Sequence, residues 1–178
     1  SVAARIPVRT DDDDRYFGDS FQFMPRDGYG AMFSRMLDHP GIEIALGRDY
    51  ASEPARSAVK HTIYTGPIDE FFEYRFGRLP YRSLRFEHYH SEFVAEDEFV
   101  QPAPVINYPN EEAFTRITEF KQLTGQRCPG SSLVREYTSA EGDPYYPIPC
   151  AENEALLKQY ETEALKWPAV SFVGRLAQ

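Results

Sequence analysis

Residues 64–87, YTGPIDEFFEYRFGRLPYRSLRFE, constrain the possible fold more than any other stretch of the chain. The β-branched and aromatic residues 61–65 predict a buried strand, which the Gly66-Pro67 pair ends. Residues 68–76 carry apolar side chains near helical spacing, with Asp69 and Glu70 in the first turn, where carboxylates favour the positive end of a helix. Alternating side chains from Tyr81 predict a half-exposed strand. Strand, turn, helix and strand therefore follow in quick succession.

The rest of the chain adds several strands but no long helices between them. Hydrophobic patterns predict strands over residues 42–46, 100–108, 115–121, 133–137 and 170–173, and helices over residues 29–37 and 151–167. Pro102 and Pro104 place one of the strands near a sheet edge. The first helix has an apolar stripe that we expect to lie in a core. The sequence thus predicts an α+β fold, mostly an antiparallel sheet with a few flanking helices.

Charge and hydropathy exclude some classes of protein. The 178 residues are enough for one packed domain, and the net charge of −9 disfavours nucleic acid, whose phosphates attract basic surfaces. No apolar run approaches the ~20 residues that span a bilayer, and the first residues lack the apolar core of a signal peptide. Cys128 and Cys150 have no metal-ligand spacing. We expect a cytoplasmic protein with neither a nucleic-acid nor a membrane partner.

Arginines on predicted strands stand near tyrosines, a combination suited to a diphosphate. A guanidinium offers paired charge-assisted hydrogen bonds and a phenol adds a neutral donor. The candidates are Arg5, Arg9, Arg82, Arg85 and Arg116, with Tyr16, Tyr145 and Tyr146. From the residues alone, each arginine is equally consistent with a solvated or paired surface group.

Two other kinds of site have weaker support. Asp69, Glu70 and Glu73 could supply the two carboxylates of a glycoside hydrolase, but on a short helix they are more simply a solvated face. His88 and His90 alternate onto one strand face, yet no third or fourth ligand accompanies them. We therefore predict no metal site.

Seven ordered blocks of sequence resemble one enzyme family. Besides residues 64–87 they are RIPVR (5–9), DDRYF (13–17), VINYPNEE (105–112), FTRITEFK (114–121), PYYPIP (144–149) and FVGRLA (172–177). Together these blocks cover nearly the whole chain, and their sequences, order and spacing resemble those of bacterial UDP-galactopyranose mutases. These flavoenzymes interconvert UDP-galactopyranose and UDP-galactofuranose through attack of the N5 atom of reduced FAD on the anomeric carbon.

The resemblance implies roles for particular residues. It assigns substrate contacts to Arg5, Tyr16, Arg82, Asn107, Arg116 and Tyr146, and a contact with the flavin to Arg175. It assigns no catalytic side chain to this chain, because the protein's part is to hold the diphosphate and keep the sugar over the flavin.

The resemblance also implies how the chain is organised. Residues 1–178 correspond to the substrate-binding sheet, with residues 59–76 and 168–178 returning toward the FAD-binding α/β domain. No GxGxxG fingerprint of dinucleotide binding occurs, so we expect an internal segment of a larger enzyme, and a homodimer for that intact enzyme. The alternative is a catalytically inactive nucleotide-sugar binding module or an isolated domain fragment.

Overall fold

The computed structural model describes residues 10, 12, 18–52, 59–110 and 112–177. The backbone divides into two compact units, Ser1–Asp38 and His39–Gln178. Within the described ranges, no helix is both long and apolar enough to cross a membrane.

In the first unit the main element is helix α1 (Gly28–Leu37). The predicted helix is confirmed, but the expectation that its apolar stripe lies in a core is wrong. No residue of α1 is buried, and Tyr29, Phe33 and Met36 are 51%, 50% and 63% exposed. Amphipathic spacing shows which face of a helix is apolar, whereas burial of that face requires a packing partner.

The second unit contains the predicted antiparallel sheet. Its strands are β2 (Tyr81–Ser91), β3 (Val105–Asn107), β4 (Arg116–Glu119), β5 (Ser131–Ser139) and β6 (Tyr146–Pro147), in the order β3-β4-β5-β2-β6. All four pairings are antiparallel, and the longest runs from Ser83 opposite Ser139 to Ser91 opposite Ser131. Strand β3 lies at an edge, as the neighbouring prolines predict. The α+β fold class is therefore confirmed.

A smaller, mostly aromatic core lies in the same unit. Strands β1 (Thr62–Tyr64) and β7 (Val170–Phe172) form a parallel pair, accompanied by helices α2 (Ile68–Phe71) and α4 (Ala151–Ala164). The buried side chains at its centre are those of Ile68, Phe72 and Tyr160. Phe172 of β7 and Leu156 of α4 pack against them, so the core joins elements that are about a hundred residues apart in the chain.

Some predicted boundaries are wrong. Residues 42–46 form no strand, and Ile42, Ile44 and Leu46 are 44%, 54% and 87% exposed. Strand propensity produces a strand only when a neighbouring strand supplies hydrogen bonds and packing. Helix α2 is shorter than predicted because Glu73 and Tyr74 adopt positive φ angles of 52° and 56°.

The strand predicted over residues 115–121 also needs correction. It ends at Glu119, where the short helix α3 (Phe120–Thr124) begins. Gly125 ends α3 in the left-handed conformation, with φ of 68°, which glycine adopts without a steric penalty.

Candidate functional site

Strand register brings four of the predicted substrate residues to one face of the sheet. Asn107 pairs with Arg116, and Arg82 pairs with Tyr146. Directly paired residues project their side chains to the same side of a sheet. All four residues line one cleft of about 330 Å³, whose other lining residues are Ser83, Leu84, Thr115, Glu136 and Thr138.

Contacts with two neighbours orient the guanidinium of Arg116. Its Nε donates to Oδ1 of Asn107 at 2.9 Å, and its Nη1 lies 3.5 Å from Oε1 of Glu136. The Arg116 side chain is 42% exposed, whereas that of Glu136 is 15% exposed. The guanidinium is thus held against the sheet while part of it faces the open cleft, as an anion-binding group requires.

A second arginine lies against the tyrosine of this cleft. The Cζ atom of Arg175 is 4.6 Å from the centre of the Tyr146 ring, a cation–π contact. Tyr146 belongs to β6, and its ring is held beside Arg82 by the β2–β6 pairing. Arg82 and Arg175 are both exposed. The residue predicted to contact the flavin therefore neighbours the residues predicted to contact the substrate.

Glu136 is a cleft residue that sequence reasoning missed. It lies on β5 opposite Arg116, and its backbone carbonyl accepts hydrogen bonds from the amide and hydroxyl of Thr115 at 2.8 and 3.2 Å. In the strand sequence SSLVREYTS it stands between Arg135 and Tyr137. Alternation alone does not say whether Glu136 or its two neighbours lie on the face of Arg116. Only the register of β4 with β5 identifies it.

The remaining candidates are not in the cleft. Arg85 lies on β2 but is paired with Tyr137, and its Cζ is 3.9 Å from the centre of that ring. Tyr145 packs its ring against Phe86 at 5.7 Å. Arg5, Arg9 and Tyr16 lie outside the described residues.

The structure also bears on the two weaker hypotheses. Asp69 is not part of a solvated face: it is 2% exposed, and its two oxygens accept hydrogen bonds from the Leu79 amide and the Tyr81 hydroxyl. None of Asp69, Glu70 and Glu73 lines the cleft that holds the predicted substrate residues. His88 and His90 are exposed, and the described residues contain no group of three His, Cys, Asp or Glu side chains that could hold a metal ion.

Fold and cleft together define an α+β protein with a site suited to an anionic ligand, and comparison with known proteins gives the family. A sequence model of the family UDP-galactopyranose mutase matches residues 1–178. The chain belongs to the UDP-galactopyranose mutase family.

Individual relatives agree with this assignment. The chain is 39% identical to a probable UDP-galactopyranose mutase of Klebsiella pneumoniae and 37% identical to a dTDP-fucopyranose mutase of Escherichia coli. It is 32% identical to the UDP-galactopyranose mutase of Mycoplasma pneumoniae. Each match covers 99% of this chain but only 46%, 48% and 48% of these relatives, respectively. The chain therefore spans about half the length of the curated relatives it matches.

Proposed function

We propose that the protein containing this chain interconverts UDP-galactopyranose and UDP-galactofuranose, and that the cleft on the sheet binds the diphosphate of UDP. The observation that carries the proposal is the convergence of Arg82, Asn107, Arg116 and Tyr146 on one cleft. These residues come from four different strands, and strand pairing brings together positions as far apart in the sequence as Arg82 and Tyr146.

The chemistry of the cleft suits a leaving diphosphate. When the bond between the sugar and UDP breaks, negative charge develops on a phosphate oxygen, and oriented cations stabilise that charge. Arg116 and Arg82 supply the positive charge, and the hydroxyl of Tyr146 supplies a neutral donor. Asn107 keeps Arg116 in place through its 2.9 Å hydrogen bond. Further roles for Arg5 and Tyr16 stay predictions from the family resemblance.

The proposal requires FAD, and one residue of this chain fits a contact with it. When bound, reduced FAD supplies the nucleophilic nitrogen that displaces UDP from the anomeric carbon, with no net redox change. Arg175 is exposed at the edge of the cleft, held against Tyr146, where its charge can face a flavin positioned beside the sugar. This chain lacks the GxGxxG fingerprint, so its own contribution to FAD binding would be limited.

Residues 59–76 and 168–178 would complete an FAD-binding domain formed largely by other parts of the protein. The parallel β1–β7 pair within them supports this, because parallel sheets are normally covered on both faces. Among the described residues this sheet has two strands; Ile63 of β1 and Val173, which follows β7, are 70% and 44% exposed. A cytoplasmic location and a homodimer stay predictions.

The test uses Arg116→Ala in the full-length protein, with Arg85→Ala as the matched control. Both residues are strand arginines of one sheet, but Arg85 stacks on Tyr137 away from the cleft. We expect Arg116→Ala to weaken UDP binding about 10- to 100-fold, measured by calorimetry, because charge-assisted hydrogen bonds contribute about 1.5–3 kcal/mol. Arg85→Ala should leave the dissociation constant within about twofold. Unchanged UDP binding in Arg116→Ala would contradict the proposal.

Turnover separates the mutase from its alternatives. The dithionite-reduced full-length protein should convert UDP-galactofuranose to UDP-galactopyranose, followed by chromatography, and conversion should depend on reduction. UDP binding without flavin or conversion would favour a nucleotide-sugar binding module. The name of the Escherichia coli relative makes dTDP-fucopyranose a second substrate to assay in parallel.

A further inference from the structure

We propose that Tyr81, acting with Asp69, is a positioning residue that sets the locations of Arg82, the strand partner of Tyr146, and of Arg175, which stacks on the Tyr146 ring. This inference rests on the proposed function, because it concerns how the same cleft is held in its binding geometry. The hydrogen bonds described for the Tyr81 and Asp69 side chains involve neither arginine side chain, so their effect would be transmitted through the backbone.

The first turn of α2 holds two separate segments at once. The backbone amide of Ile68 donates to the carbonyl oxygen of Leu176 at 3.1 Å. The next residue, Asp69, accepts a hydrogen bond from the Leu79 amide at 2.9 Å and another from the Tyr81 hydroxyl at 3.1 Å. Ile68 and Asp69 are 1% and 2% exposed, so these contacts are shielded from water. Two adjacent buried residues thereby join the turn that contains Leu176 to the start of β2.

Each held segment ends one residue away from an arginine of the candidate site. Tyr81 precedes Arg82 on β2, where successive side chains point to opposite faces, and Leu176 follows Arg175. The Tyr81 hydroxyl also lies 3.5 Å from the Leu176 carbonyl oxygen. On the other side, Arg175 stacks on Tyr146, the partner of Arg82. Displacement of Tyr81 relative to Leu176 would therefore change the spacing of the two arginines.

The hydroxyl of Tyr81 stays protonated and can donate to Asp69 throughout the neutral pH range. Burial, together with the negative charge of Asp69, raises the pKa of Tyr81 well above its ordinary value. The phenol therefore keeps its proton, and remains a donor to Asp69, across the neutral pH range. A buried carboxylate that accepts two hydrogen bonds is likewise costly to disturb.

Tyr160 provides a matched control within the same unit. It is a buried tyrosine, whereas Tyr81 is half-buried, and its hydroxyl donates to the Gly77 carbonyl at 2.6 Å and accepts from the Phe76 amide at 3.2 Å. Neither it nor these partners line the cleft. Tyr160→Phe and Tyr81→Phe each remove one hydrogen-bonded hydroxyl and keep the ring, so they differ mainly in their connection to the site.

The experiment measures UDP binding, steady-state kinetics and the thermal midpoint for both variants in the full-length protein. We expect both to lower the midpoint. Only Tyr81→Phe should raise the UDP dissociation constant and the KM for the UDP-sugar. The expected rise is about three- to tenfold, which corresponds to the loss of about one hydrogen bond. Its kcat should change less than its KM. Asp69→Asn, which keeps the side-chain size and one acceptor oxygen, should act in the same direction and serves if Tyr81→Phe fails to fold.

The contrary outcomes are distinct. If the wild-type protein binds UDP but Tyr81→Phe and Tyr160→Phe change the affinity equally, or not at all, the positioning role is wrong while the proposed function stands. If the wild-type protein shows no binding of UDP, the proposed function fails and this inference fails with it.

Discussion

At Arg116, two neighbours of opposite character determine how the guanidinium can meet a diphosphate. Asn107 is a neutral acceptor at 2.9 Å and Glu136 is a carboxylate at 3.5 Å. The amide orients the arginine without altering the charge of the cleft, whereas the carboxylate cancels part of the charge that a diphosphate would meet. The contact with Glu136 therefore affects the affinity of the site for anions more than it affects the orientation of Arg116.

Glu136→Gln tests this division of roles. The change keeps the side-chain shape and removes one negative charge, so UDP should bind about 1.5- to 5-fold more tightly, since a partly exposed ion pair contributes up to about 1 kcal/mol. Calorimetry at two salt concentrations checks it, and the gain should shrink at high salt. Weaker binding would mean that orientation by Glu136 outweighs its charge.

At the residue scale, sequence reasoning identified the residue types of the site but not all of their neighbours. It predicted Arg82, Asn107, Arg116 and Tyr146, which the fold brings to one cleft. It did not find Glu136, because two strands must pair before either face is known.

At the scale of elements, buried Glu119 at the end of β4 joins a loop to the sheet. Its carboxylate is fully buried and accepts hydrogen bonds from the amides of Val100 and Gln101 and from the hydroxyl of Ser131. The loop before β3 and the start of β5 are thus fastened to one side chain. This explains how a strand as short as β4 can hold its place between β3 and β5.

Glu119→Gln should destabilise the protein by about 2–3 kcal/mol. One carboxylate oxygen becomes an amide nitrogen that faces a donor, so a buried hydrogen bond to a charged group is lost. Glu87→Gln is the control, because Glu87 is exposed and accepts only the Tyr137 hydroxyl among the contacts described. Urea titration should give a free energy of unfolding within about 0.5 kcal/mol of wild type for that control. Equal losses in both would contradict the role of Glu119.

Helices and strands with clear periodicity were predictable, and elements that depend on partners were not. Helices α1 and α4 and strands β1, β2, β5 and β7 occur where the pattern predicts them, but the expectation that β1 is a buried strand is wrong, because Ile63 is 70% exposed. Residues 42–46 have strand-forming side chains but do not form a strand. Helix α3 begins at Phe120, inside the strand predicted over residues 115–121. Local preference is weak compared with tertiary contacts, which decide such segments.

At the scale of the whole molecule, the parallel β1–β7 pair packs on the core but leaves an apolar side chain exposed. Tyr64 and Phe172 pack their rings at 5.9 Å within the aromatic core, whereas Ile63 is 70% exposed. A two-stranded sheet with one bare face is marginal alone. Its exposed face supports the proposal that other parts of the protein complete this sheet, since the chain covers 48% and 46% of two relatives.

Ile63→Ser distinguishes a bare surface from an interface. In this chain alone the substitution should change the free energy of unfolding by less than about 0.5 kcal/mol, since the side chain is exposed. In the full-length protein it should cost about 1–3 kcal/mol and reduce flavin retention, because a covered isoleucine loses its burial. Thermal unfolding and flavin absorbance measure the two effects. Equal small changes in both proteins would argue against a covering domain.

The sequence by itself determined the family, the α+β class and the main periodic elements, because these depend on residue types and on neighbours a few positions away. Tertiary structure alone decided that Asn107, Arg116 and Glu136 share one face, that Asp69 is buried, and that the apolar stripe of α1 is exposed. These outcomes depend on register and packing between residues far apart in the chain. No local pattern carries that information, since a shift of one residue in strand pairing moves every side chain to the other face.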